Sequence, residues 1–165
     1  THLFSSAASD VYKRQSESGA DDSTTGAGIA FTGIDGLNIG VASEDNNTSS
    51  ATTENTVFYA TYAMDAFTIG FQANESDSAT ANSDTEFEAW GVSYAVSEDI
   101  SISYGSSKVE FESGASLSDQ EADALGISWT NGSMSVTASR HDFDNVAGTS
   151  TDDRDVTEVN LTFAF

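Results

Sequence analysis

Any chemistry in this sequence would have to come from its carboxylates. The chain carries 27 acidic and 5 basic residues and no Cys, which removes disulfides, thiolate metal sites and thiol nucleophiles together. Asp142-x-Asp144 and Asp152-Asp153-x-Asp155 place hard oxygen donors on either side of one segment, the donor type that calcium takes. Neither run follows the twelve-residue helix–loop–helix spacing of a dedicated calcium loop. Asp142, Asp144, Asp152, Asp153 and Asp155 are therefore calcium candidates set against a plainer reading, a solvated acidic surface. Ser and Thr are abundant, but none stands in a pattern that supplies a base and an orienting group. Of the two His residues, His2 falls in a leading segment unlike the rest of the chain, which leaves His141 without a second imidazole. The expectation is a protein that is not an enzyme and needs no cofactor.

The formal net charge of −22 argues against nucleic acid as a partner, since a polyanion would be repelled. Few cations oppose the acids. Lys108, Arg140 and Arg154 all lie in or beside long acidic segments, and Arg140 shares parity with Met134, Val136 and Ala138.

The elements that must position these residues follow from hydrophobic alternation. Residues 1–24 show none, and the stretch ending Asp10-Val11-Tyr12-Lys13-Arg14-Gln15 reads as a disordered leader, in the manner of translated read-through, outside the fold. From 25 to 165 the chain divides into segments of period two. Segments 28–32 and 37–43 flank a turn at 33–36, 55–64 and 67–74 flank Asp65-Ala66, and 85–96 and 100–107 flank Ser97-Glu98-Asp99. Segments 122–130 and 133–141 flank Asn131-Gly132, a strong two-residue hairpin signal, and 155–165 closes the chain. Nine strands are expected. Leu37, Ile39 and Val41 fall on one side; so do Phe67, Ile69 and Phe71, then Leu125, Ile127 and Trp129, with small or polar residues opposite. The absence of Pro suits long strands, because Pro removes a ladder donor.

A sandwich would turn such apolar faces inward; a membrane barrel turns them toward lipid. The connections favour the barrel. Short turns alternate with long acidic segments at 44–54, 75–84, 108–121 and 142–154, as turns on one side of a membrane and loops on the other would do. Trp129, Tyr94, Tyr104, Phe67 and Phe165 lie near strand ends, where amphipathic rings suit a membrane interface. No apolar run reaches the roughly 18 residues that a spanning helix needs. The expected fold class is all-β, an antiparallel up-and-down transmembrane β-barrel, here a partial barrel of about nine strands. Single-chain bacterial barrels have even strand counts, and no signal peptide is legible at the start, so a piece of a longer chain is expected.

The final segment holds the sharpest pattern: Val159, Leu161, Phe163 and Phe165 at every second position, ending in Phe. It resembles the C-terminal targeting strand of outer-membrane proteins, which the barrel-assembly machinery recognises. The vocabulary of 25–165, with Gly126-Ile127-Ser128-Trp129 and Val92-Ser93-Tyr94, is similar to the C-terminal part of a general-diffusion porin of the proteobacterial type. That resemblance implies a 16-stranded homotrimer in the outer membrane of a Gram-negative bacterium, with lipid and the assembly machinery as partners. The constriction loop of that family has no counterpart here.

The function expected on this basis is passive diffusion of small hydrophilic solutes and ions, favouring cations at an acidic mouth. Gln72, Ser101, Ser103, Ser128, Glu158, Asn160 and Thr162 are the expected pore-lining residues. Two rivals remain. One is a small closed barrel acting as anchor or adhesin, whose interior should be filled with bulky and charged groups. The other is a soluble calcium-dependent β-protein.

Overall fold

The computed structural model describes residues 8–15, 23–48, 52–112 and 116–164. Alternation of this kind satisfies a backbone only by pairing with neighbours, and the chain does so throughout. Ten strands form one sheet in strict chain order. They are β1 (Ala8–Gln15), β2 (Ser23–Ile34), β3 (Leu37–Asn47), β4 (Thr52–Met64), β5 (Phe67–Ser78), β6 (Thr85–Ala95), β7 (Ile100–Phe111), β8 (Gln120–Asn131), β9 (Met134–Asp144) and β10 (Arg154–Phe163). All nine pairings are antiparallel. The fold is thus all-β, an up-and-down sheet consistent with part of a barrel.

One strand exceeds the expected nine. It is β1, which lies inside the leading segment read as patternless and pairs with β2 from Ala8↔Ala30 to Gln15↔Ser23. Edge pairing is made by backbone groups and needs no apolar alternation, which is why the side-chain pattern did not reveal it. Residues 1–7 and 16–22 of that segment lie outside the described residues.

The tight turns gather at one end of the sheet. Gly36 (φ 74°) and Gly132 (φ 59°) take the left-handed conformation in two of them. In the β8–β9 hairpin Asn131 still pairs with Met134, so the central residues are Gly132 and Ser133, one step later than Asn131-Gly132. A positive φ at the first central residue is what a type II′ turn asks of Gly. Asp65 (φ 50°) opens its turn without glycine, as a short polar side chain can. In the β6–β7 turn the Ser97 hydroxyl accepts from the backbone N–H groups of Asp99 and Ile100 at 3.2 and 3.1 Å.

The opposite end differs from expectation. Half of the described residues assigned to long acidic segments are strand, because the alternation continues there with its sense reversed. Glu86-Phe87-Glu88, Val109-Glu110-Phe111 and Asp142-Phe143-Asp144 keep period two, but acid now occupies the face that was apolar. What remains as loop is short. Two of these loops hold each other: Ser118 N donates to Gly148 O at 3.0 Å, and Asn145 Nδ2 donates to Asp119 O at 2.9 Å. The Gln120 side chain also accepts from Ala147 N at 2.8 Å.

The sheet is a single layer. Among the described residues no hydrophobic side chain is buried. The apolar residues line the more exposed face instead, with Leu125 62% and Ile127 51% exposed, and it is the convex one because the opposite face encloses a cavity over β2 to β6. Small residues opposite them are better covered, and Gly26 and Gly40 are buried there although they have no side chain.

Candidate pore wall on the concave face

Period two and the cross-strand register together decide which side chains share a face. Ser101 pairs with Ser128, Ser128 with Thr137 and Thr137 with Asn160. One row nearer the loops, Ser103, Gly126, Ser139 and Glu158 stand in line; one row nearer the turns, Thr130, Ser135 and Thr162 do. Six of the expected pore-lining residues, Ser101, Ser103, Ser128, Glu158, Asn160 and Thr162, thus meet on the concave face of β7, β8 and β10. Gln72 shares that face but stands apart on β5, beside Tyr59 and Ala89, with its Nε2 donating to Asn74 Oδ1 at 3.0 Å.

The wall is hydroxyl-rich and thin. The Ser101 and Ser128 hydroxyls lie 2.7 Å apart, and Ser139 Oγ lies 3.0 Å from His141 Nε2. Gly70, Gly91 and Gly105 adjoin across β5, β6 and β7, leaving a trough without side chains. A Cβ at Gly126 would crowd the Ser103 hydroxyl. None of these groups forms a nucleophile–base–orienter set.

The convex face is of opposite character on its turn side. Phe58, Ala60, Tyr62 and Met64 face Ala73, Phe71, Ile69 and Phe67 across β4 and β5. Phe67 and Tyr94 bring their rings to 4.5 Å, and Trp90 and Tyr104 to 5.5 Å. Val159, Leu161 and Phe163, three residues of the expected assembly signal, lie on this face at 69%, 57% and 51% exposure; Phe165 lies outside the described residues.

Toward the loops the convex face turns acidic in directly opposed rows. Asp45, Glu54 and Asp77 form one, Glu75, Glu86 and Glu110 a second, and Asp123, Asp142 and Asp155 a third. Like charges directly opposite are destabilising, and the few cations go where they offset this. Arg140 reaches Asp142 at 3.0 Å and Asp155 at 3.5 Å, and Lys108 reaches Asp119 at 2.8 Å. Arg140 and Lys108 therefore serve the convex face and not the concave wall.

The calcium candidates do not gather at one place, and only Asp142 and Asp155 stand directly opposite each other. Asp142 and Asp155 share Arg140. Asp152 pairs with Arg154 at 2.6 Å, and that guanidinium holds its carboxyl below the usual range. Asp153 Oδ1 accepts from Asn145 N at 3.1 Å, and Asp144 faces Glu121. No group of three or more ligating side chains exists among the described residues.

Sequence reasoning missed the apolar part of the concave face. Val57, Phe87, Val109, Phe111 and Phe143 share it with the hydroxyl rows, nearer the loops. The signal was present in the acid–aromatic–acid triplets, but it reads as loop when acids are taken for solvent-facing connections. Tyr59 belongs here too. Its ring lies across Gly40, where any Cβ would overlap it.

No family model matches the chain, and no curated protein does. Three solved chains are similar to it. One comes from work on the mechanism behind the in-meso crystallization of membrane proteins; it is 9% identical, covers 96% of this chain and 83% of that one, and has a TM-score of 0.37. A likeness that distant leaves function to the geometry.

Proposed function

We propose that this chain forms part of the wall of an outer-membrane channel through which small hydrophilic solutes and ions diffuse passively, with cations favoured. One observation carries the reading. The sheet is a single layer whose large apolar side chains are exposed on the convex face, with no hydrophobic residue buried among those described. Burial of apolar surface is what a sheet must gain to be stable, and lipid against the convex face supplies it. The hydroxyl-lined concave face then meets water.

Among the described residues β1 pairs only with β2, and β10 only with β9. Lipid does not tolerate an open edge, so the reading asks for further strands that complete the ring. A general-diffusion porin, trimeric and inserted by the barrel-assembly machinery in a Gram-negative outer membrane, is the form its C-terminal pattern resembles. The net charge of −22 supports the cation preference. The small concave residues fit an open channel better than the filled interior of a compact anchor barrel.

The test is conduction. Reconstituted into planar bilayers, with its completing strands where these exist, the protein should pass ions with a reversal potential on the cation side that shrinks as salt screens the acids. Full solubility of the folded chain without detergent or lipid would overturn the reading.

A further inference from the structure

Within the concave face a cavity of about 720 Å³ lies over β2 to β6, inside the range of small-molecule sites. Its floor is glycine and alanine of β2 and β3, which leaves the depth. Its walls are mostly apolar. Val57, Tyr59 and Phe87 line it, and register puts all three on the concave side. Tyr59 is held across Gly40 by the lack of a side chain there. Asn55, Asn74 and Glu44 add polar groups to the same cavity, with Glu44 directly opposite Asn55. A wall meant only for water and simple ions needs no aromatic rings, and a wall meant for neutral oils needs no carboxylate.

We propose that this cavity is a binding site for organic cations with an aryl body, the charge set toward Glu44 and the body against Tyr59 and Phe87. Two physical effects combine. The aryl body packs against the rings of Tyr59 and Phe87, an aromatic contact worth more than the apolar area it buries. The carboxylate and the surplus negative charge of the chain raise the local concentration of cations and discriminate against anions. In the channel, which is the reading this proposal rests on for its physiological sense, the site would slow and select aromatic amines among passing solutes.

Binding can be tested without conduction. The folded full chain in nonionic detergent is titrated calorimetrically with benzyltrimethylammonium, and separately with tetramethylammonium and benzyl alcohol, against detergent blanks. The aryl cation should bind about tenfold more tightly than either comparison ligand, each of which lacks one of the two features. Phe87→Leu keeps apolar volume without the ring and should weaken the aryl cation several-fold, while Glu44→Gln should remove most of its advantage over benzyl alcohol. Phe143→Leu, on the same face but outside the cavity, should change nothing. Equal affinity for benzyl alcohol, affinity indifferent to both Phe87→Leu and Glu44→Gln, or no binding at all overturns the proposal. A chain that binds as expected yet never conducts leaves the site standing and removes the channel; a channel that conducts without aryl-cation preference does the reverse.

Discussion

The turn side and the loop side of this sheet share the same strands and opposite chemistry. On the turn side, Leu125, Ile127 and Trp129 of β8 point to the convex face while Gly126 and Ser128 point to the concave one. Four residues toward the loops on that strand, Glu121 and Asp123 hold the convex face and Ala122 the concave one. The same reversal falls between Ala73 and Glu75 on β5, and between Val159 and Asp155 on β10. A change at similar height on many strands is set by surroundings and not by any local packing need. In the proposed channel it marks the boundary where lipid outside the sheet gives way to water. On β5 the apolar residues Phe67 to Ala73 run roughly 20 Å along the strand, at about 3.3 Å per residue. With strands tilted by about 40° this is shorter than the ~25 Å band of most outer-membrane barrels, a mismatch that a bilayer accommodates by thinning.

The comparison is broken most forcefully at Ile127. Ile127→Arg puts a charge on the convex face below the boundary and should cost about 2–4 kcal/mol if that face meets the bilayer midplane, read as denaturant unfolding from lipid vesicles. A variant that folds as well as its parent would mean water on that face. Above the boundary, the same new side chain should act in the other direction. Glu86 stands between Glu75 and Glu110, so Glu86→Arg replaces two repulsions by attractions and should stabilise by about 0.5–1 kcal/mol in the same assay. Destabilisation of Ile127→Arg size there would move the boundary beyond Glu86.

Ser128→Arg sharpens the contrast between faces at one height. It should leave folding within about 0.5 kcal/mol of the parent, as surface substitutions do. Its effect should appear as a smaller cation preference in reversal potentials, strongest at low salt. Loss of folding by Ser128→Arg with Ile127→Arg unaffected would invert the faces.

The smallest effect belongs to the loops. Asp84, hydrogen-bonded to the Glu112 carboxyl, raises it above the ordinary glutamate range. A raised acid binds more protons in the folded state, so its contribution is complete below the unfolded pKa and is lost as pH rises through the folded one. Carboxyl NMR titration should show Glu112 above the ordinary glutamate value, and Asp84→Asn should bring it down. No change on that substitution would dissociate the two loops' acids.

The strands were legible because period two is insensitive to which solvent lies on either side. Leu37, Ile39 and Val41 declare a strand equally well against lipid or a core. The loop-side extensions were not legible as strand, since Asp142-Phe143-Asp144 looks like an acidic connection unless the reversed sense is noticed. β1 was hidden for another reason: its evidence is a backbone ladder with β2, which leaves no mark on side-chain pattern. The hydroxyl wall could be read from parity alone, whereas the cavity could not. It depends on Gly40 lying under Tyr59 across two strands, and register of that kind exists only once the sheet is formed.

Among the described residues each strand of this sheet pairs only with the strands that precede and follow it in the chain. Every pairing is therefore closed by a short loop, and the ordering entropy is met in small instalments. Such a sheet can zip up one hairpin at a time from whichever strand is first held in place. It can also lengthen or shorten by whole hairpins without altering the strand pairing elsewhere, so that in a closed ring circumference would be a modular property, inherited and altered two strands at a stroke.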